Sequence, residues 1–212
     1  MGLRETKKLR TRSEIADQAM RLFVERGFDR VTVAEVAAAA GVSEKTVFNY
    51  FPTKEDLFFD EVPAREAAMV EAIRSRAPGE SILSALRGLQ VGECSRLTSP
   101  GFATFARIIE DSPALQAKEL EVMAHFSQVL AAAIQSEPGV DERDARIAAG
   151  LMVSVHRQFF RAARKQALAG RHGPAAARRL RGDLERAYTL LENGLGDLGR
   201  PAAAVVQRVA GG

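Results

Sequence analysis

The sequence predicts an all-α chain: several short helices at the N-terminus, then a bundle of longer ones. Three observations carry that prediction. Apolar residues recur at helical spacing from end to end, no segment alternates with period two for long, and β-branched residues are sparse. The 212 residues are 46% hydrophobic, enough for a real core and too many for a disordered chain. No apolar run approaches the roughly 20 residues that a membrane helix needs. The charged start MGLRETKKLRTR leads straight into an amphipathic pattern with no apolar signal segment behind it. A single cysteine, Cys94, excludes an internal disulfide and a cysteine-based metal cluster. The expectation is a soluble protein of a reducing compartment with no membrane partner.

Net charge is only +3, so its distribution says more than its size. Residues 1–12 carry Arg4, Lys7, Lys8, Arg10 and Arg12 against Glu5. They are expected to form a flexible basic arm suited to a phosphate backbone, or equally an ordinary solubilising terminus. Ile15, Ala19, Leu22 and Phe23 then mark a first helix that Gly27 stops. Val33, Val36, Ala37 and Ala40 mark a short second helix, opened by a T-x-x-E capping box of Thr32 and Glu35. After a turn at Gly41, Ser43 opens a third helix; Thr53, with Asp56 three residues on, opens a fourth. Ser99-Pro100 and Ser112-Pro113 look like helix starts, with Ser as cap and Pro pre-set for the first helical position. Pro63 should kink or divide the helix that begins at Thr53. Breaks at Pro78-Gly79, Pro138-Gly139 and residues 170–174 bring the total to about nine helices, the longest spanning 141–169 and 175–194. The expected division is residues 1–52, residues 53–196 and a Gly/Ala/Val-rich tail, 197–212, that frays.

The stretch GVSEKTVFNYFPTKEDLF holds the densest signal. Ala37 is small where two helices must cross, and Gly41, four residues on, can take a left-handed turn without Cβ strain. Ser43 can accept from the Thr46 N–H, while Val42 and Val47 staple the helix entry. Val47, Phe51 and in part Tyr50 then point inward. Glu44, Lys45, Thr46, Phe48 and Asn49 are left facing out. A solvated face rarely carries a Phe, whereas a surface entering a DNA major groove uses Lys, Asn and an apolar ring for guanine or phosphate, adenine and the thymine methyl. Lys54, at the next helix start, is placed to favour a phosphate.

Residues 22–58, LFVERGFDRVTVAEVAAAAGVSEKTVFNYFPTKEDLF, resemble the TetR family of bacterial transcriptional regulators. The order LF-x-x-x-G-F, T-V-x-x-V-A-x-x-A-G-V-S, T-V-F-x-Y-F and K-E-x-L carries the resemblance, over about a sixth of the chain. It implies an all-helical cytoplasmic homodimer, nucleoid-associated when bound to DNA, with a three-helix DNA reader and a C-terminal helical domain for effector and partner. Carried over by position, Thr32, Thr46, Tyr50 and Lys54 would touch phosphate, and Ser43, Glu44, Lys45 and Asn49 would lie nearest base edges. Phe48 stands where the family often has Tyr, so a phosphate contact through a hydroxyl is lost there.

The C-terminal two thirds carry five Phe on three expected helices. Phe102, Phe105, Met123, Phe126, Met152, His156 and Phe159 are candidates for an effector cavity, with His125 beside them and Arg107 and Glu110 giving opposite hints about effector charge. A plain hydrophobic core would use the same residues. The last helix has an apolar stripe at Leu180, Leu184, Ala187, Leu191 and Leu195. The helix before it is apolar on two faces, one through Ile147, Leu151, Val155 and Gln158 and one through Met152 and Phe159. Leu151, Val155, Leu180, Leu184 and Leu191 are therefore the candidate dimer interface.

Enzyme signals are weak. GLGDLG at residues 194–199 matches a dinucleotide fingerprint only literally, because it follows a helix and precedes Pro201. His125, His156 and His172 lack metal-ligand spacing, and Cys94 has no evident base partner. No cofactor, metal or catalytic residue is expected. The expected function is a dimeric repressor that a small hydrophobic or aromatic effector releases from a palindromic double-stranded operator; a constitutive or architectural DNA-binding dimer is the alternative.

Overall fold

The computed structural model describes residues 2–194; the expected tail and the literal GLGDLG match lie outside them apart from Gly194. Among the described residues there are ten α-helices and no strand. In chain order they are α1 (Leu3–Arg26), α2 (Val33–Ala39), α3 (Glu44–Tyr50), α4 (Lys54–Phe58), α5 (Val62–Arg74), α6 (Ile82–Glu93), α7 (Pro100–Glu110), α8 (Pro113–Gln135), α9 (Glu142–Leu168) and α10 (Pro174–Asn193). A single 3-10 turn, Arg96–Thr98, precedes α7.

The punctuation follows local chemistry. Gly27 ends α1 at φ 81°, its N–H donating to Phe23 O. Thr32 and Glu35 close a capping box at α2, and Thr53 and Asp56 close another at α4. Ser112 caps α8 by accepting from the Leu115 N–H. Ser99 precedes Pro100 without making the side-chain cap that its position suggests.

One expectation is corrected by α1. Residues 3–12 are no loose arm: they form the first turns of α1. Arg12 lies over the Phe51 ring at 4.3 Å and donates to the Asp60 carbonyl, so this cation serves the fold. The helix from Thr53 is divided near Pro63, as expected. It stops at Phe58, and after a break at residues 59–61 α5 starts with Pro63 in its first turn, where a missing N–H costs nothing.

Two apolar clusters hold the chain. The first gathers Ile15, Ala19 and Phe23 of α1 with Val36, Ala37, Val47, Phe51, Leu57 and Phe58, closed by Ile108, Ile109 and Leu115 from α7 and α8. The second is built from α5 to α10 around Ile73, Leu86, Phe126, Ala149, Phe159, Leu180 and Tyr188. Phe105 packs against both, stacked on Phe58 at a centroid distance of 4.6 Å. Cys94 is buried in the second cluster, and burial pushes its thiol pKa up, away from nucleophilic use.

Candidate DNA-reading face and effector cavity

The helix-turn-helix is assembled by backbone geometry that only a few residues permit. Gly41 sits at φ 66°, and the Val42 N–H reaches back to Ala37 O at 3.0 Å, closing the end of α2 in a Schellman-like turn. Ser43 then accepts from the Thr46 N–H at 3.1 Å, and its hydroxyl meets that of Thr46 at 2.8 Å. Val47 and Phe51 are buried, Tyr50 is half-buried, and Glu44, Lys45, Phe48 and Asn49 are exposed. Phe48 leaves 47% of its surface in solvent, a cost that an ordinary solvated helix would avoid. Among the described residues, Glu44, Lys45 and Asn49 make no side-chain hydrogen bond. Thr32 sits at the start of α2 with its hydroxyl donating to Glu35 at 2.9 Å. The Thr32 backbone N–H and then Arg26 hold the Glu35 carboxyl down at about 2, fastening the end of α1 to the start of α2.

Lys54 is placed differently from the expectation. Its Nζ donates to the carbonyls of Phe28 and Val31, each at 3.1 Å, and lies 4.2 Å from the Phe28 ring centre. Two of its three N–H groups are thus spent on the loop before α2. That leaves one donor for a phosphate instead of a free ammonium.

Three adjoining cavities open between α5 and α9, walled further by α7, by α6 or by α7 and α8. One of about 280 Å³ is lined by Met20, residues 58–62, Arg65, Arg96, Phe102, Phe105 and Phe160. A second, of about 320 Å³, is lined by Arg65, Met69, Leu89, Gln90, Arg96, His156 and Phe160. A narrow third, about 50 Å³, reaches inward to Phe102, Phe105, Met123, Phe126 and His156. Five of the seven effector candidates therefore meet one cavity system. Met152 and Phe159 do not line it; they are buried in the second apolar cluster. His125 is also removed from it: the ring is largely exposed, 3.6 Å from Glu66. Arg107 and Glu110 line separate grooves, so neither informs effector charge.

Arg65 and Phe160 line all three cavities; Phe160 is one of the five late Phe but not among the seven effector candidates, and Arg65 was not singled out in the sequence. A signal existed: Val62, Arg65 and Met69 fall at i, i+3, i+7, which puts an arginine on the apolar face of α5.

The interface candidates divide in the same way. Leu180 and Leu184 are buried in this chain's own core and Leu191 packs beside it, because α10 turns that stripe onto α6 and α9. Leu151 is 48% exposed and Ile147 57%, with Val155 half-buried below them and Leu190 exposed on α10.

The pattern described as bacterial regulatory proteins, tetR family, matches residues 15–60. The HTH-type transcriptional regulator TcmR of Streptomyces glaucescens is 30% identical over 151 residues, 68% of this chain and 67% of that protein. The HTH-type transcriptional regulator LuxR of Vibrio harveyi is 46% identical over 54 residues, 26% of each chain. Among solved structures, a TetR-family regulator from Streptomyces coelicolor A3 shares the fold with a TM-score of 0.54, at 21% identity, over 85% of this chain and 96% of that one.

Proposed function

The chain belongs to the TetR family of bacterial regulatory proteins and is a helix-turn-helix transcriptional regulator; from that premise we propose a dimeric repressor released from its operator by a small apolar effector. In this reading Lys45 and Asn49, with Ser43 and Glu44, meet base edges, while Thr32, Thr46 and Tyr50 meet phosphates. Phe48 contributes an apolar contact such as that to a thymine methyl. Lys54 adds its one remaining donor. The working division falls at the break of residues 59–61, later than Pro52, because Leu57 and Phe58 bury with α1 to α3. The dimer forms through α9 and α10, by the exposed face of Ile147, Leu151 and Leu190 with Val155.

One observation carries the effector half of the proposal. The roughly 280 Å³ cavity takes part of its wall from Met20 of α1 and from residues 58–62, the connection that holds α4 against the reader. A ligand there presses on the reader's own scaffold. It acts only through its differential affinity for the DNA-bound and free arrangements, typically about 1–3 kcal/mol per coupled site. The alternative of a constitutive dimer with a solid helical half has no such opening to explain.

The test is fluorescence anisotropy of labelled duplex from upstream of the chain's own gene, titrated with apolar compounds. Release by at least one compound is expected. Phe160→Ala should blunt that release while ligand-free DNA affinity stays within about twofold, because its ring packs with the second apolar cluster and not with the reader. Binding to DNA that no compound weakens would sink the effector reading and favour the constitutive dimer.

A further inference from the structure

Arg65 is half-used. Its side chain is only 25% exposed, on the apolar face of α5, and lines all three cavities. A guanidinium carries five N–H donors in a fixed fork. Among the described residues Arg65 spends one of its side-chain donors, on Glu61 at 3.2 Å, and the Glu61 side chain is itself 71% exposed. The guanidinium lies 5.1 Å from the Phe160 ring centre, within cation–π range.

The charges around it nearly balance. The narrow inner cavity has Arg65, Arg157 and Arg164 against one carboxylate, Glu119, which Arg164 already pairs. In the two larger cavities Arg65 and Arg96 face Asp60, Glu61 and Glu93, with Glu93 paired to Arg96 and Glu61 to Arg65. Four arginines thus face four carboxylates, and it is the unspent donors of Arg65, more than net charge, that suit an acceptor. Two buried polar groups that line the second cavity also lack partners. Neither His156 Nδ1 nor Gln90 Oε1 has a hydrogen bond, although Gln90 Nε2 donates to Tyr188 Oη at 3.0 Å. Both side chains are nearly fully buried and line the second cavity. Unfilled buried polar atoms are costly in a settled core and ordinary in a site awaiting a ligand. Burial, and then the charge of Arg65, push the His156 pKa down to about 3, so its ring offers a hydrogen bond and no charge.

We propose that the effector is an apolar carboxylic acid: its carboxylate docks in the fork of Arg65, its body lies against Phe102, Phe105 and Phe160, and a hydrogen-bonding substituent can meet His156 or Gln90. This rests on the effector reading above and narrows its chemistry. A single planar guanidinium suits a single planar carboxylate, and Phe rings on several sides suit a flat or slender hydrocarbon.

The test uses the full chain and two series of probes: 2-naphthoate, 2-naphthalenemethanol and 2-naphthylmethylamine, and decanoate, decanol and decylamine. Dissociation constants are measured by calorimetry at neutral pH. In at least one series the acid should bind about 10- to 100-fold tighter than the alcohol, the range a charge-assisted bidentate contact supplies, and the amine should bind worst. Arg65→Met should erase the acid's advantage while the alcohol still binds. Arg65→Lys, which keeps the charge and loses the fork, should recover only part of it. An alcohol or amine that binds the native chain as tightly as its acid overturns the carboxylate assignment and leaves the effector cavity standing, and so does an acid preference that survives Arg65→Met. Failure of all six probes to bind would remove the cavity as an effector site and the carboxylate with it.

Discussion

Lys54 and His156 both carry polar groups whose work is set by burial more than by residue type. The Lys54 ammonium closes two carbonyls at the end of the α1–α2 loop and sits over Phe28. Lys54→Met should remove both bonds, leaving Val31 O without its donor while Phe28 O keeps the Val31 N–H, and cost about 1–3 kcal/mol of stability. Urea denaturation of the DNA-free protein measures it; an unchanged midpoint would mean that the ammonium works in solvent, free for phosphate. His156 is neutral when folded because burial and Arg65 depress its pKa from 6.5 to about 3. Between those values the unfolded chain binds a proton that the folded chain refuses. The stability it supports is whole above pH 6.5 and drains as pH falls toward 3, by up to about 1.4 kcal/mol per pH unit. Denaturation at pH 7.5 and 5.5 should therefore separate the native chain from His156→Phe, with the variant losing less on acidification. Equal losses would show that the ring takes up its proton without unfolding.

At the scale of elements, two helices present leucines to different neighbours. On α10, Leu184 is buried against this chain's own helices; on α9, Leu151 stands in solvent. Leu184→Ala should remove core packing and cost about 2–5 kcal/mol whatever the state of assembly. Leu151→Glu should leave helix content and protomer stability almost untouched and convert a dimer to monomer, because an unpaired carboxylate in an apolar contact is expensive. Light scattering together with circular dichroism separates these effects. A folded Leu151→Glu dimer would move the interface off α9. Helix α8 ties the two halves at its start: Ser112 donates to Asp29 at 2.7 Å, and Lys118 pairs with Asp56 at 2.9 Å. Burial raises the Asp56 pKa, but hydrogen bonds from Lys118 and Thr53 outweigh it and hold the carboxyl below its usual range. Asp56 thus caps α4 and anchors it to α8 with one side chain. A helix of five residues cannot stand alone, so α4 takes its position from such anchors.

Over the whole molecule, what could be read in advance was local. The starts of α2, α3 and α4 and the turn after α2 follow from Thr32, Ser43, Thr53 and Gly41, whose caps and turns are settled within a few residues. The outward set on α3 follows from helical spacing alone. What could not be read depends on which neighbour a face meets. The stripe of Leu180 and Leu184 marks an apolar face equally well for a partner chain or for α6 and α9, and only the tertiary path decides. Phe159 and Phe160 are adjacent in sequence, yet one fills the core and the other lines the cavities, a difference of about 100° around a helix. Arg65 is one of several arginines that turn inward, with Arg76 and Arg164, and the spacing of Val62, Arg65 and Met69 marks its face without marking its role. The account rests on a two-fold reader whose contacts come from the exposed face of α3. Selection of binding sites from a random duplex library by the purified protein tests this most directly, with Asn49→Ala run in parallel. The native chain should enrich an inverted repeat with half-sites about one helical turn apart or slightly more. Asn49→Ala should weaken binding by about 1–3 kcal/mol and lose preference at one symmetrically repeated position. No enrichment, an asymmetric site, or the same preference and affinity from Asn49→Ala would contradict the account.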